Sequence, residues 1–393
     1  MVINKQSTLT LYPLTIRKDT KNYIVEDIRS SEFYEMPKLC IEAISMINEG
    51  HALDTIEEIL KKSYPNEEVD MIGFVEDLLE FGLVYSIDGK IVSKDVEKRI
   101  QSNGFVSISP KIGQFFFNRY SSIIYLLTFI ATVLTFIINP ELFPSYKDVF
   151  LFDLMMYNII VFLILTFLLV ILHEIGHVLA VRAEGLPTSI EIGHRLFLVV
   201  LETDMSRVWS IPPVRRYRFY LAGMYVDIVV LFVALLIQIM FSSQMIVVGI
   251  GKMAVLSTFI RILYQFCVHM KTDLYYVLEN WTGCYNLMEN GQNFLRRWLP
   301  FIPDVNTSKA FDGEDKVIRP YAILYLIGIL ITFAVLIFYS IPLVIHASIL
   351  VSPGLSEPLS SILFWDAIVF FLQFVIIFGL LGYSWSKKYR LNH

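Results

Sequence analysis

Residues 150–180 read FLFDLMMYNIIVFLILTFLLVILHEIGHVLA, and this stretch decides the architecture. An apolar run of roughly 20 residues is what a helix needs to cross a bilayer. Here such a run ends in HEIGH, an HExxH pattern that binds metal when both histidines share a helix face. A membrane helix and a metal motif are therefore read from one segment. The plainer alternative is two polar residues closing a helix.

The rest of the chain agrees with the membrane reading. Of 393 residues, 55% are hydrophobic and 18% charged, against about 25% charged in ordinary soluble domains. This composition describes an integral membrane protein with soluble parts and excludes a globular enzyme built on one large core. The opening MVINKQSTLTLYPL has no apolar core of signal-peptide length, so no cleaved export signal is expected. Cys40, Cys267 and Cys284 are far apart and form no CxxC, which predicts neither a disulfide framework nor a thiolate metal site.

Apolar stretches predict about six transmembrane helices, near 120–139, 150–173, 221–241, 246–270, 321–345 and 363–385. The loops between the first and second, third and fourth, and fifth and sixth spans carry one basic residue, Lys147. The opposite side carries Arg182, Arg195, Arg207, Arg215, Arg216, Arg218, Lys271, Arg296, Arg297, Lys309, Lys316, Arg319 and the tail KKYR. By the positive-inside rule, both termini and those loops lie in the cytosol. The second span then runs inward, and HEIGH arrives after roughly 35 Å of helix, near the cytosolic face. The fourth span also runs inward and ends in FCVHMKTDLYY, bringing Asp273 to the same depth.

His173 and His177 are four residues apart, so a helix presents both imidazoles to one ion. Glu174 beside them is placed to take a proton from a metal-bound water. A catalytic zinc needs a third protein ligand, and Asp273 is the choice by charge and depth. His269, Glu191, His194 and Glu202 are the other candidates, and His269 can equally be a supporting polar residue. Two charges lie deeper in lipid, Asp227 in the third span and Arg261 in the fourth. Such charges find partners inside the bundle, so they are expected to pair with one another, or Asp227 to support the metal ligands. Between HEIGH and the third span, TSIEIGHRLFLVVLETDMSRVWSIPPVRRYRFY holds β-branched and aromatic runs, with a turn expected around Gly193-His194. A hairpin there could hold an extended peptide by strand addition; a structural re-entrant loop is the alternative.

Residues 1–100 read as a separate cytosolic domain, ahead of a membrane domain over 115–390. NYIVEDIRSSEFYEM predicts a hairpin, and PKLCIEAISMINEG a helix from Pro to Gly50. LDTIEEILKKSY follows as a second helix, with Asp54 and Glu57 in capping-box spacing. NEEVDMIGFVEDLLEFG is a third, and VYSIDGKIVS a hairpin about Asp88-Gly89. Helices followed by a small β-wing suggest a winged helix. From 20 to 95 there are seven Lys/Arg against seventeen Asp/Glu, a net of −10, whereas nucleic-acid binding needs a basic face. No nucleic-acid partner is expected; a protein or peptide partner, or a stabilising cap, suits the charge.

HEIGH at a span end, the TD of MKTDLYYVLENWTGCYNL and the stretch ETDMSRVWSIPPVRRYRFYLAGMYVD together resemble the site-2 protease family of membrane zinc metallopeptidases. They are most similar to its peptide zinc metalloprotease branch, over roughly residues 115–300. The resemblance implies His173, His177 and Asp273 as Zn2+ ligands and Glu174 as the base. Leu274 stands where the family often has glycine. The acidic N-terminal domain resembles the leader-binding recognition element of enzymes that mature ribosomally made peptides, in which a leader adds as a strand to the wing. Together the two resemblances imply a bacterial cell-membrane endopeptidase that matures a secreted, modified precursor peptide. The implied partners are membrane lipid, a peptide-modifying enzyme and an ABC-type exporter. Two other readings are a regulatory intramembrane protease cutting a single-span protein, and a non-enzymatic membrane partner of a peptide exporter.

Overall fold

The computed structural model describes residues 3–92, 104–195, 198–299 and 314–391. Its N-terminal unit contains strands β1 (Leu9–Leu11), β2 (Leu14–Lys18), β3 (Tyr23–Asp27) and β4 (Glu32–Met36). Helices α1 (Lys38–Asn48), α2 (Leu53–Ser63) and α3 (Met71–Glu80) follow, then β5 (Val84–Ile87) and β6 (Lys90–Ile91). Two antiparallel sheets form, ordered β2-β3-β4 and β1-β5-β6. The second turns through Asp88 and Gly89, both at positive φ (51° and 73°), the pairing a two-residue hairpin needs. Apolar residues at helical spacing, Ile44 and Ile47, Ile56 and Leu60, Val75 and Leu78, are fully buried with Val25 and Leu83 in a core of the unit's own. The boundary expected near residue 100 lies outside the described residues.

One local expectation fails. Asp54 and Glu57 do not form a capping box, because α2 begins at Leu53 with Ala52 as N-cap and no side-chain cap. Asp54 thus sits inside the first turn, and Glu57 instead pairs with Lys5 and Lys61.

The remainder is mostly helical: α4 (Pro110–Phe116), α5 (Arg119–Ile138), α6 (Met155–Ala183), α7 (Pro213–Tyr220), α8 (Ala222–Met240) and α9 (Met245–Gln265). These are followed by α10 (Asp273–Thr282), α11 (Leu287–Arg296), α12 (Asp315–Val335), α13 (Ile341–Val351) and α14 (Ile362–Leu391). Strands β7 (Ile190–Arg195) and β8 (Leu198–Thr203) form a hairpin between α6 and α7. Among the described residues, five helical segments are long and apolar enough to cross a membrane: α5, α6, Pro213–Met240, α9 and Asp315–Ser356. The last passes from α12 to α13 through a π-helical turn at Leu336–Ser340. The sixth expected span falls on α14, a 30-residue helix that is apolar over Ile362–Ile377.

Two differences from the sequence reading bear on the site. The helix carrying HEIGH starts at Met155 and continues to Ala183, so the motif lies inside α6 and not at its end. Asp366 of α14 fixes where that helix begins: its carboxylate accepts from the backbone N–H of Met155 and Met156, at 2.8 and 2.6 Å. Residues Gly193 and His194 do not turn the hairpin; they pair within the strands opposite Val200 and Val199.

The two units meet through a buried ion pair. Asp19, in the β2–β3 turn, accepts from Arg216 of α7 at 3.0 Å and from the Tyr285 hydroxyl. Arg216 also donates to the carbonyls of Ile211 and Trp209 and lies over the Trp209 ring. Close by, Arg17 of β2 donates to the Ser210 carbonyl. The segment 206–210 is thereby held between the N-terminal unit and the membrane helices.

Candidate metal centre

Three helices deliver the site. On α6, His173 and His177 lie one turn apart and are both buried. Gly176 and Gly223 let α8 approach this face of α6: a Cβ at 176 would meet the Ala222 backbone, and one at 223 would strike both imidazoles. After α9 the chain reverses through Lys271, at positive φ (51°), and starts α10 at Asp273. Gln265 holds that reversal, its side-chain oxygen accepting from the Asp273 N–H (3.0 Å) and its carbonyl from the Thr272 hydroxyl (2.7 Å).

The ligand atoms converge. The two Nε2 atoms are 3.2 Å apart, and Asp273 Oδ2 lies 3.2 Å from one and 3.3 Å from the other. Ligands bound at about 2.0–2.1 Å in a tetrahedral shell stand roughly 3.3 Å from one another. Among the described residues Asp273 Oδ2, though buried, has no hydrogen-bond partner, which is costly for an ionised oxygen unless a cation meets it. Three donors, spaced as a metal would space them, fit a bound ion.

The groups behind the ligands fix their tautomers. His177 Nδ1 faces the Phe219 carbonyl at 2.8 Å, which can only accept, so Nδ1 carries the proton and Nε2 keeps its lone pair. His173 Nδ1 faces Asp227 Oδ2 at 2.9 Å, with the same result. Asp227 is fully buried and also accepts from Arg261 at 2.7–3.1 Å. The alternatives drawn for Asp227 therefore coexist in the geometry: it pairs with Arg261 and also orients His173, a candidate ligand.

Glu174 lies beside the ligands, 7% exposed, and its Oε2 accepts from the Thr203 hydroxyl of β8 at 2.8 Å. A cavity of about 320 Å³ opens from this carboxylate, lined by His177, Asp273, Thr203, Trp209 and Tyr220 among others. Glu191 and Glu202 also border it and are not among the converging ligand atoms. His269 is not at the centre. Its depth matches, but it turns toward α12, against Gly328 and edge-on to Tyr325. Thr203, Gln265 and Trp209 were not singled out from sequence. Only Gln265, an amide at the end of an apolar helix, gave a signal.

Asp273→Ala is expected to empty the centre, since two histidines alone rarely retain an ion through purification. Metal analysis of the purified protein checks this, with wild type expected near one equivalent. No family model matches the chain, and neither a curated protein nor a solved structure matches it.

Proposed function

We propose that the chain is a membrane-embedded zinc endopeptidase that cuts a precursor peptide, with His173, His177 and Asp273 as ligands and Glu174 as the general base. The observation that carries this reading is a carboxylate, Glu174, facing a cavity beside a buried His-His-Asp triad. Two neutral imidazoles and one carboxylate are a donor set suited to zinc. A bound zinc supplies Lewis acidity toward a scissile carbonyl and toward water.

The chain's own residues supply the rest. Thr203 holds Glu174 in one orientation by donating to Oε2, leaving its other oxygen to accept a proton from water. Glu174 then returns that proton to the leaving amine. A peptide must be extended to expose its scissile bond, and the β7–β8 hairpin beside Glu174 offers strand pairing.

The N-terminal unit supplies the docking surface in this reading, as the resemblance to leader-binding domains suggests. The edge best placed is β4, not the β5–β6 wing. Strand β4 is the outer strand of its sheet, and a cavity of about 450 Å³ lies between Phe33, Tyr34, Phe81, Trp209 and Tyr285. Trp209 lines this cavity and the metal cavity alike. One extended peptide can run from the first to the second. The loop charges support a cytosolic metal face, so the precursor is met before export.

The test is cleavage of candidate precursor peptides by the purified full chain. Phe33→Glu is expected to raise KM about tenfold with kcat little changed, because it removes docking and not chemistry. A metal-free wild type, or one that cleaves no precursor encoded beside it, overturns the proposal.

A further inference from the structure

A third cavity, about 430 Å³, lies away from the candidate metal centre where the β2–β3 turn meets the start of α12. Leu278, Pro320 and Leu324 form an apolar wall, and Lys21 and Lys316 stand in its lining. Among the described residues neither lysine has an ion-pair partner. Trp281 is 71% exposed at the same place, as interfacial tryptophans are where a bilayer meets water. Leu324 is two turns beyond Lys316 on an apolar helix, about 12 Å deeper. Charge therefore sits at one end of the cavity and hydrocarbon-like surface runs from it along the span.

We propose that this cavity seats one anionic phospholipid of the adjoining leaflet, its phosphate between Lys21 and Lys316 and an acyl chain along Pro320 and Leu324. A free phosphate would satisfy the lysines and leave the apolar wall bare. A choline lipid would bring its own cation against two ammonium groups. Only an anionic lipid meets both surfaces. Lys21 lies two residues from Asp19, and their turn packs against Gly283, whose missing Cβ leaves room for Thr20. The lipid thus touches both units and ties the N-terminal one to the membrane beside its buried contact with Arg216.

Native mass spectrometry of the full chain in mild detergent tests it, with phosphatidylglycerol and phosphatidylcholine of matched acyl chains as probes. Wild type is expected to keep one phosphatidylglycerol in strong preference to phosphatidylcholine. Lys21→Gln and Lys316→Gln should each weaken retention roughly fivefold, and Leu324→Trp, which leaves the lysines in place, should block the seat. Millimolar glycerol 1-phosphate should not compete. Equal retention of the two lipids by wild type overturns the proposal without any variant. So does full displacement by glycerol 1-phosphate, or an unchanged preference in the double glutamine variant.

Discussion

Glu174→Gln is expected to keep its metal and lose peptide cleavage by roughly 10²–10⁴-fold, the usual contribution of a positioned general base. The amide keeps the side chain's shape, and its oxygen can still accept from the Thr203 hydroxyl that holds Glu174 at 2.8 Å. It cannot take a proton from water. His173→Ala, by contrast, should lose both metal and cleavage, since it removes a ligand. Metal content and single-turnover cleavage, measured on the same preparations, separate the two outcomes. An active Glu174→Gln protein would show that another group accepts the proton.

The second large effect falls on the charge pair behind the ligands. Arg261→Ala leaves Asp227, fully buried, with only His173 as partner among the described residues, and breaking a buried pair in this way costs roughly 3–5 kcal/mol. Sharp loss of folded protein after solubilisation is the expected result, read by gel filtration and thermal unfolding. Asp227→Asn combined with Arg261→Leu removes both charges and should recover most of the fold. The metal should bind about 10–100-fold more weakly in that double variant, because the carboxylate that polarises His173 is gone. If the double variant binds metal as wild type does, Asp227 serves the fold alone.

Much of the site was legible because helical spacing is local. The four-residue spacing of His173 and His177 fixes a shared face whatever the rest of the chain does, and charge asymmetry between loops brought Asp273 to the same depth. Depth is a single coordinate, however. His269 satisfies it as well as Asp273 does, and only the reversal at Lys271 turns one toward the histidines and the other toward α12. Rotation of one helix against another is likewise absent from sequence, so Asp227 could be given either of two partners but not both. The hairpin was foreseen and its turn misplaced, because Gly193 looked like a turn residue and instead pairs within a strand opposite Val200. Nothing in the local pattern announced Asp366, which caps α6 from 211 positions away.

The Asp19–Arg216 contact also has a meaning in time. Its partners are 197 residues apart, and Tyr285 is 266 residues beyond Asp19. At about 5–20 residues per second, roughly 10–40 s of synthesis separate Asp19 from Arg216. Throughout that interval the N-terminal unit has its own core but no seat, and the Asp19 carboxylate is left to water. Seating must wait for later helices to insert, and Trp209 is held in place only when it occurs. The wall of the cavity beside the His-His-Asp cluster is therefore among the last parts of the molecule to be finished.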